Sequence, residues 1–404
     1  MICPRYHDLC FSNLPGLFER LLFGETKRPT IPEELLPRGL STYDHVIFVF
    51  FDALGWESLE RIRDKSELFK RGDGLGSLLK TTSQFPSTTA VHVTTFFSGL
   101  PAYQHSICGW DYFEPFLGRM IKPLKFCFTE DTERETLSLL GITGNDFLPE
   151  GDFFQNLKAK SCDVTVHGPR AYFPSSFSLA YLHQHDFYGY ESLAHGVESI
   201  AQNADRRARG FHSLYLEDYD VVCHQHGVGS EHADQVLHML LNQIEQLLTK
   251  RFTKKTVLVL SSDHGHISRK KDGLIKINEV VPELPQLLKK DNRSQPIRYS
   301  GGDRYLFLHP EESNYQYALT TVRERLRGAA WVGGLADLKN LGLLGERDIT
   351  PEMATRFGTL AVLPEPEYSI SWFEPPHFKP GHISEHGGVS PQEMETPLLI
   401  LPLS

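Results

Sequence analysis

A carboxylate and an imidazole stand side by side in Ser262-Asp263-His264-Gly265, and the glycine permits a tight turn behind them. Asp220 and His224 are four apart, so both side chains share one face if the backbone there is helical. Asp52 follows six apolar residues, and His386 sits in Gly381-His382-Ile383-Ser384-Glu385-His386-Gly387-Gly388, where glycines on both sides let the backbone approach a cluster closely. Aspartate and histidine together suit a borderline divalent cation such as zinc or manganese. Each piece alone has a plainer explanation. Asp52 and Asp263 are also turn-forming residues, Asp220 also suits a helix start, and His386 also suits an ordinary loop. His226, His232 and His382 lack an equally specific placement and read as surface or outlying histidines.

The segment Phe85-Pro86-Ser87-Thr88-Thr89-Ala90 supplies hydroxyls immediately before a predicted helix over residues 90–98, which Gly99 and Pro101 close. The amides and dipole of a helix N-terminus favour a phosphate. A hydroxyl placed there attacks phosphorus once a metal lowers its pKa. The plain alternative is three N-cap-type residues. Three carboxylates, three imidazoles and one helix-borne hydroxyl together are best explained by two metals about 4 Å apart, bridged by a substrate phosphate.

Strands must carry these groups to one place. The runs at 46–51 (VIFVFF) and 257–260 (VLVL, within a strand predicted at 256–261) are continuous and apolar, the pattern of strands buried on both faces of a parallel sheet. Asp52 and Asp263 then lie at strand carboxyl ends, where open α/β sheets bind ligands. Further strands are predicted at 164–166, 214–216, 305–308 and 397–401, and a helix at 231–248 with Ser230 as its N-cap. This alternation predicts an α/β fold with a central, mostly parallel sheet between helical layers. Residues 1–40 read as a helical extension and 41–404 as one catalytic domain, with cap or insert segments around 110–210 and 270–380. Aromatics such as Phe187, Tyr188 and Tyr190 read first as packing and second as a surface that could stack a base.

With 404 residues, 40% apolar and 23% charged, the chain has ordinary globular composition. A net charge of −10 and the lack of a Lys/Arg run argue against nucleic acid as a partner. Six cysteines, none in a CxxC pair, form no disulfide framework. The N-terminus does not read as a secretory leader, and no apolar stretch reaches membrane-spanning length. The expectation is a cytoplasmic protein with reduced thiols.

The ordered set of Phe51-Asp52, Phe85-Pro86-Ser87-Thr88-Thr89-Ala90, Ser98-Gly99-Leu100-Pro101 with His105, Asp220-x-x-x-His224-x-x-Gly227, Ser262-Asp263-His264-Gly265 and His386-Gly387 resembles the alkaline phosphatase superfamily. Within it, the chain is most similar to the type I phosphodiesterase/nucleotide pyrophosphatase family, over roughly residues 44–270 and 380–402. The resemblance implies one metal held by Asp52, Thr89, Asp263 and His264, and a second held by Asp220, His224 and His386. Zinc is the implied metal, with manganese the alternative. It also implies a nucleophile nine residues before Ser98, which is Thr89, with Thr88 as competitor.

The implied reaction is cleavage of a phosphodiester or pyrophosphate bond through a phosphothreonine, on a small phosphorylated substrate such as a nucleotide. A phosphomonoesterase, or a metal-dependent phosphomutase or phosphotransferase on the same site, is the alternative. One departure stands out. Many nucleotide pyrophosphatases place an Asn after the His-Gly that follows the nucleophile helix, and here His105-Ser106-Ile107-Cys108-Gly109-Trp110-Asp111 has none. Trp110 or a backbone amide is left to substitute, and the substrate class stays open.

Overall fold

The run His45–Phe51 (HVIFVFF) is buried along its whole length and forms the middle of a seven-stranded sheet. The computed structural model describes residues 1–37, 39–75, 77–172, 174–302, 304–375 and 381–403. The strands are ordered Leu78–Thr82, Glu395–Pro402, Thr256–Ser262, His45–Phe51, Gly210–Leu216, Asp163–Pro169, Phe187–Tyr190. The last five in that order are mutually parallel, and Glu395–Pro402 runs antiparallel to both of its neighbours. Side chains of the central strand alternate between two apolar clusters. Val46, Phe48 and Phe50 face one, and Ile47, Val49 and Phe51 face the other. An unbroken apolar run is what a two-sided sheet requires.

Helices cover both faces. Leu14–Phe23 lies on the first, with Phe18 packed 4.8 Å from Phe48 and 5.0 Å from Phe211 between ring centroids. The helix thus belongs to the core of the sheet domain rather than standing apart from it. Leu193–Arg206 and Glu231–Ile244 cover the second face. The latter begins under the Ser230 cap, whose Oγ accepts the Ala233 amide at 3.2 Å, and its last predicted turn is a 3-10 segment, Glu245–Thr249. The expected α/β sandwich with a mostly parallel sheet is therefore the observed architecture.

Two strands are longer or differently placed than their sequence suggests. Gly210–Leu216 extends four residues before the predicted 214–216, because the polar His212 inside it is satisfied by neighbours. Its ring lies 2.7 Å from Thr165 Oγ1 and 3.1 Å from His45 Nδ1. The 305–308 strand instead enters a separate four-stranded antiparallel sheet with Ser300–Gly302, Leu360–Pro364 and Ala330–Gly334. That sheet has its own apolar cluster around Leu306, Leu308 and Val362. All six cysteines are free thiols, and no described helix is long and apolar enough to cross a membrane.

Candidate active site

Three strands end level. Phe51 lies opposite Leu216 on one side and Ser262 on the other, so the next residues of each strand meet at one edge of the sheet. Asp52 emerges from the first. Asp263 and His264 emerge from the third. From the second begins the helix Asp218–His226, which carries Asp220 and His224 one turn apart. The turn after Asp52 places Ala53 at φ 67°, and its amide donates to Asp263 Oδ1 at 3.1 Å. The His264 amide donates to the same oxygen at 2.9 Å. Gly265 has no substitute here, since a Cβ on it would lie 2.1 Å from the Gln392 carbonyl oxygen.

Two further segments close the site. Thr88 is extended at the N-cap, and Thr89 is the first residue of the helix Thr89–Ser98. Antiparallel pairing of Ile267 with Glu385 and Ser268 with Ser384 docks the loop that carries His386. Gly387 follows at φ 119°, where a Cβ would meet the Tyr305 ring at 2.4 Å.

The seven residues singled out by sequence are brought together in two adjoining groups. In the first, Thr89 Oγ1 lies 3.1 Å from His264 Nε2 and 3.4 Å from Asp52 Oδ1. His264 Nε2 is 3.5 Å from both Asp52 Oδ1 and Asp263 Oδ2. Donors on one tetrahedral cation with bonds of about 2.0–2.1 Å stand about 3.3 Å apart, so these edges suit a zinc-sized ion. Asp263 Oδ2 is buried without a hydrogen-bond partner, and a cation would satisfy it. In the second group, Asp220 Oδ2 is 3.4 Å from His224 Nε2, and Asp220 Oδ1 is 3.9 Å from His386 Nε2. Asp220 also falls within 4.8 Å of the Asp52 and His264 donor atoms, and the His264 and His386 rings stack at 3.7 Å.

Electrostatics point the same way. Burial, with the nearby carboxylates of Asp263 and Asp220, pushes Asp52 well above the usual range. Burial chiefly raises Asp263 to about 7. Asp220 is held well below its usual range: burial opposes this, but His224, His266 and His386 outweigh it. Burial lowers His224 to about 4 and drives His264 and His386 well down, leaving the imidazoles neutral, as metal ligation requires. Among the described residues, Asp52, Asp220 and Asp263 have histidines but no lysine or arginine as ion-pair partners.

Sequence reasoning missed two groups. The Tyr215 hydroxyl donates to Asp52 Oδ2, and His266 Nε2 lies 2.7 Å from Asp220 Oδ1. Tyr215 is one residue inside its strand end. His266 lies just beyond the Asp-His pair, and its partner is 46 residues away.

The His386 loop is anchored by a buried ion pair. Glu393 Oε1 accepts from Arg304 Nε at 3.0 Å and the Gly388 amide at 2.8 Å, and Oε2 accepts from Arg304 Nη2 at 3.0 Å and Ser390 Oγ at 2.7 Å. Glu393→Ala leaves Arg304 buried and unmatched, and is expected to cost about 3–5 kcal/mol in urea unfolding. Burial works against the Glu393 carboxylate, but Arg304 prevails and holds it below its ordinary value. The stabilisation is therefore complete above about pH 4.3 and is lost as pH falls below that. An unchanged urea midpoint in Glu393→Ala at pH 7 contradicts this.

A cavity of about 260 Å³ opens beside Thr89 and Asp52. Phe50, Val93, Phe96, Phe97 and Phe177 give it apolar walls. Trp110, the residue left where an Asn is common, also lines it, with Lys125 over the indole at 5.8 Å. Arg134 lines it as well, over the Tyr172 ring at 4.8 Å. Glu217, another lining residue, is pushed by burial up to about 7, so at neutral pH it is only about half ionised. Phe187, Tyr188 and Tyr190 do not line this space. Tyr188 stacks on His167 at 4.9 Å, Phe187 stacks on Phe97 at 6.4 Å, and the Tyr190 hydroxyl donates to the Tyr215 carbonyl.

Comparison with known proteins places this arrangement. The sequence model described as "Type I phosphodiesterase / nucleotide pyrophosphatase" matches residues 46–374. No curated protein matches the chain. Among solved structures, human ectonucleotide pyrophosphatase/phosphodiesterase 5 superposes with a TM-score of 0.62 at 17% identity, over 88% of this chain and 87% of that one. An inactive murine form of that protein in complex with AMP gives 0.61 at 16%, over 87% of each. Phosphonoacetate hydrolase from Sinorhizobium meliloti in complex with phosphonoformate gives 0.62 at 15%, over 90% and 92%. At these identities the likeness is one of fold.

Proposed function

The chain belongs to the type I phosphodiesterase/nucleotide pyrophosphatase family and is a phosphoric ester hydrolase, and we propose that it cleaves phosphodiester or pyrophosphate bonds through a phosphothreonine on Thr89. One observation carries the preference for diesters. Beside the hydroxyl lies a cavity with apolar walls, whose lining also includes Asp52 and Asp220. A diester places its second organic group there, whereas a monoester would turn a charged phosphoryl oxygen towards the phenylalanines at a desolvation cost. The aromatic walls, together with the AMP bound by the murine relative, support a nucleotide or similar flat organic group.

Asp52, Thr89, Asp263 and His264 would hold one divalent cation, and Asp220, His224 and His386 a second, with zinc the best match to the donor set. Such cations acidify a bound hydroxyl and offset charge on the phosphoryl oxygens. Thr89 Oγ1 would give up its proton to water and bond to phosphorus as the bond from phosphorus to the opposite ester oxygen breaks; that oxygen takes up a proton from water, and the other organic group stays on the phosphoryl-threonine. The Thr89 and Ala90 amides, at the N-terminus of the Thr89–Ser98 helix and ahead of its first backbone bonds, would donate to the phosphoryl oxygens. Water then cleaves the phosphothreonine in a second in-line step.

With zinc or manganese added, bis-p-nitrophenyl phosphate is expected to turn over with a kcat/KM at least about tenfold above p-nitrophenyl phosphate, a difference of about 1.4 kcal/mol in transition-state binding. A preference for the monoester overturns the diester reading.

A further inference from the structure

We infer that His266 is a positioning residue that donates a hydrogen bond to Asp220 and thereby keeps the second cation site at three protein ligands; this rests on the two-cation reading above. Four imidazoles surround the carboxylates, and three share one arrangement. Nδ1 of His224, His264 and His386 lies 2.8, 3.1 and 3.1 Å from the backbone oxygens of Ser384, Gly265 and Ser87. A carbonyl only accepts, so each Nδ1 carries the proton, and each Nε2 turns a lone pair towards the cluster. This is how a protein sets a metal-binding imidazole.

His266 departs from that arrangement. Its side chain is buried, and its Nδ1 has no hydrogen-bond partner. Were the proton on Nδ1, the ring would bury an orphaned donor, and the Nε2 lone pair would face Asp220 Oδ1 at 2.7 Å. Orphaned buried N–H groups are rare and costly. With the proton on Nε2, the ring donates a charge-assisted hydrogen bond at the length such bonds adopt.

The spacing separates a ligand from a donor. Two atoms bound to one tetrahedral zinc stand about 3.3 Å apart. His224 and Asp220, at 3.4 Å, meet that, whereas His266 and Asp220, at 2.7 Å, are too close. Zinc sites that keep three protein ligands leave a position for substrate, whereas four protein ligands close the site. By holding Asp220 Oδ1, His266 fixes the carboxylate while Oδ2 stays towards His224.

The test compares wild type with His266→Leu and His266→Gln, whose amide N–H reaches a similar point. Zinc affinity is read by competition with a chromophoric chelator, and coordination by the visible absorption of the cobalt-substituted protein. His266→Leu is expected to weaken the second zinc by about 10–100-fold, with His266→Gln restoring most of it. The cobalt spectra of wild type and His266→Gln should superimpose. Undiminished affinity in His266→Leu overturns the proposal. So does a spectrum that changes alike in both variants, without rescue by Gln, because His266 is then a ligand. A wild-type protein that binds fewer than two equivalents refutes the two-cation reading itself, a result visible before any variant is made.

Discussion

Thr89→Ala is expected to lose at least about a thousandfold in kcat on bis-p-nitrophenyl phosphate while retaining bound metal, whereas Thr88→Ala stays within about tenfold of wild type. The two threonines are neighbours with different surroundings. Thr88 is extended, and its carbonyl accepts from the Val91 and His92 amides at 3.1 and 3.3 Å and meets His92 Nδ1 at 2.8 Å. Its side chain makes no cap hydrogen bond, so truncation costs at most a weak cap contribution. Thr89 has its hydroxyl against Asp52 and His264. Removing that oxygen deletes the nucleophile but leaves Asp52, Asp263 and His264 as donors. Kinetics and metal content by elemental analysis separate the two effects, and acid quenching during turnover should trap a nitrophenylphosphoryl group on the Thr89 peptide. An active Thr89→Ala beside a dead Thr88→Ala moves the chemistry one residue back.

The catalytic edge of this fold was legible because its strands are buried on both faces. Six uninterrupted apolar positions leading to Asp52, and the shorter run Val257-Leu258-Val259-Leu260 just before Asp263, mark strands and their carboxyl ends without any tertiary information. The four-residue spacing of Asp220 and His224 carried its own geometry once the segment proved helical. What stayed hidden depends on contacts across long separations. His212 disguised half of a central strand because its partners lie on two other strands. His266 gains its meaning only from Asp220. The cavity was concealed differently: Phe50, Phe96 and Phe97 read as core, and they are core, but one side of that core is the wall of the site. The later aromatics Phe187, Tyr188 and Tyr190 pack outside that wall, and Tyr190 is itself buried.

Stripping the metals with a chelator is expected to abolish turnover and to destabilise the protein more at pH 8 than at pH 5.5. Without cations, burial and neighbouring charge raise Asp52 well above its ordinary value, and burial chiefly raises Asp263 to about 7. A carboxyl whose pKa is higher in the folded than in the unfolded state binds more protons when folded. The stability of the metal-free protein therefore falls as pH rises from about 4 to about 7. For Asp263 alone, three pH units correspond to about 4 kcal/mol. Asp220 shifts the other way, held down by His224, His266 and His386 against its burial, and its effect is confined to acid pH below the interval of 5.5 to 8. Cations supply the missing positive charge and invert the balance, so each metal bound near pH 6.5 should release protons. Thermal unfolding of metal-free and zinc-loaded protein at the two pH values checks the stability, and calorimetry in buffers of different ionisation enthalpy counts the protons. A metal-free melting temperature that holds steady or climbs between pH 5.5 and 8 would mean that these carboxylates are already matched within the protein. The case for cations at this sheet edge would then lose its electrostatic basis, and only the spacing of the donors would be left to support it.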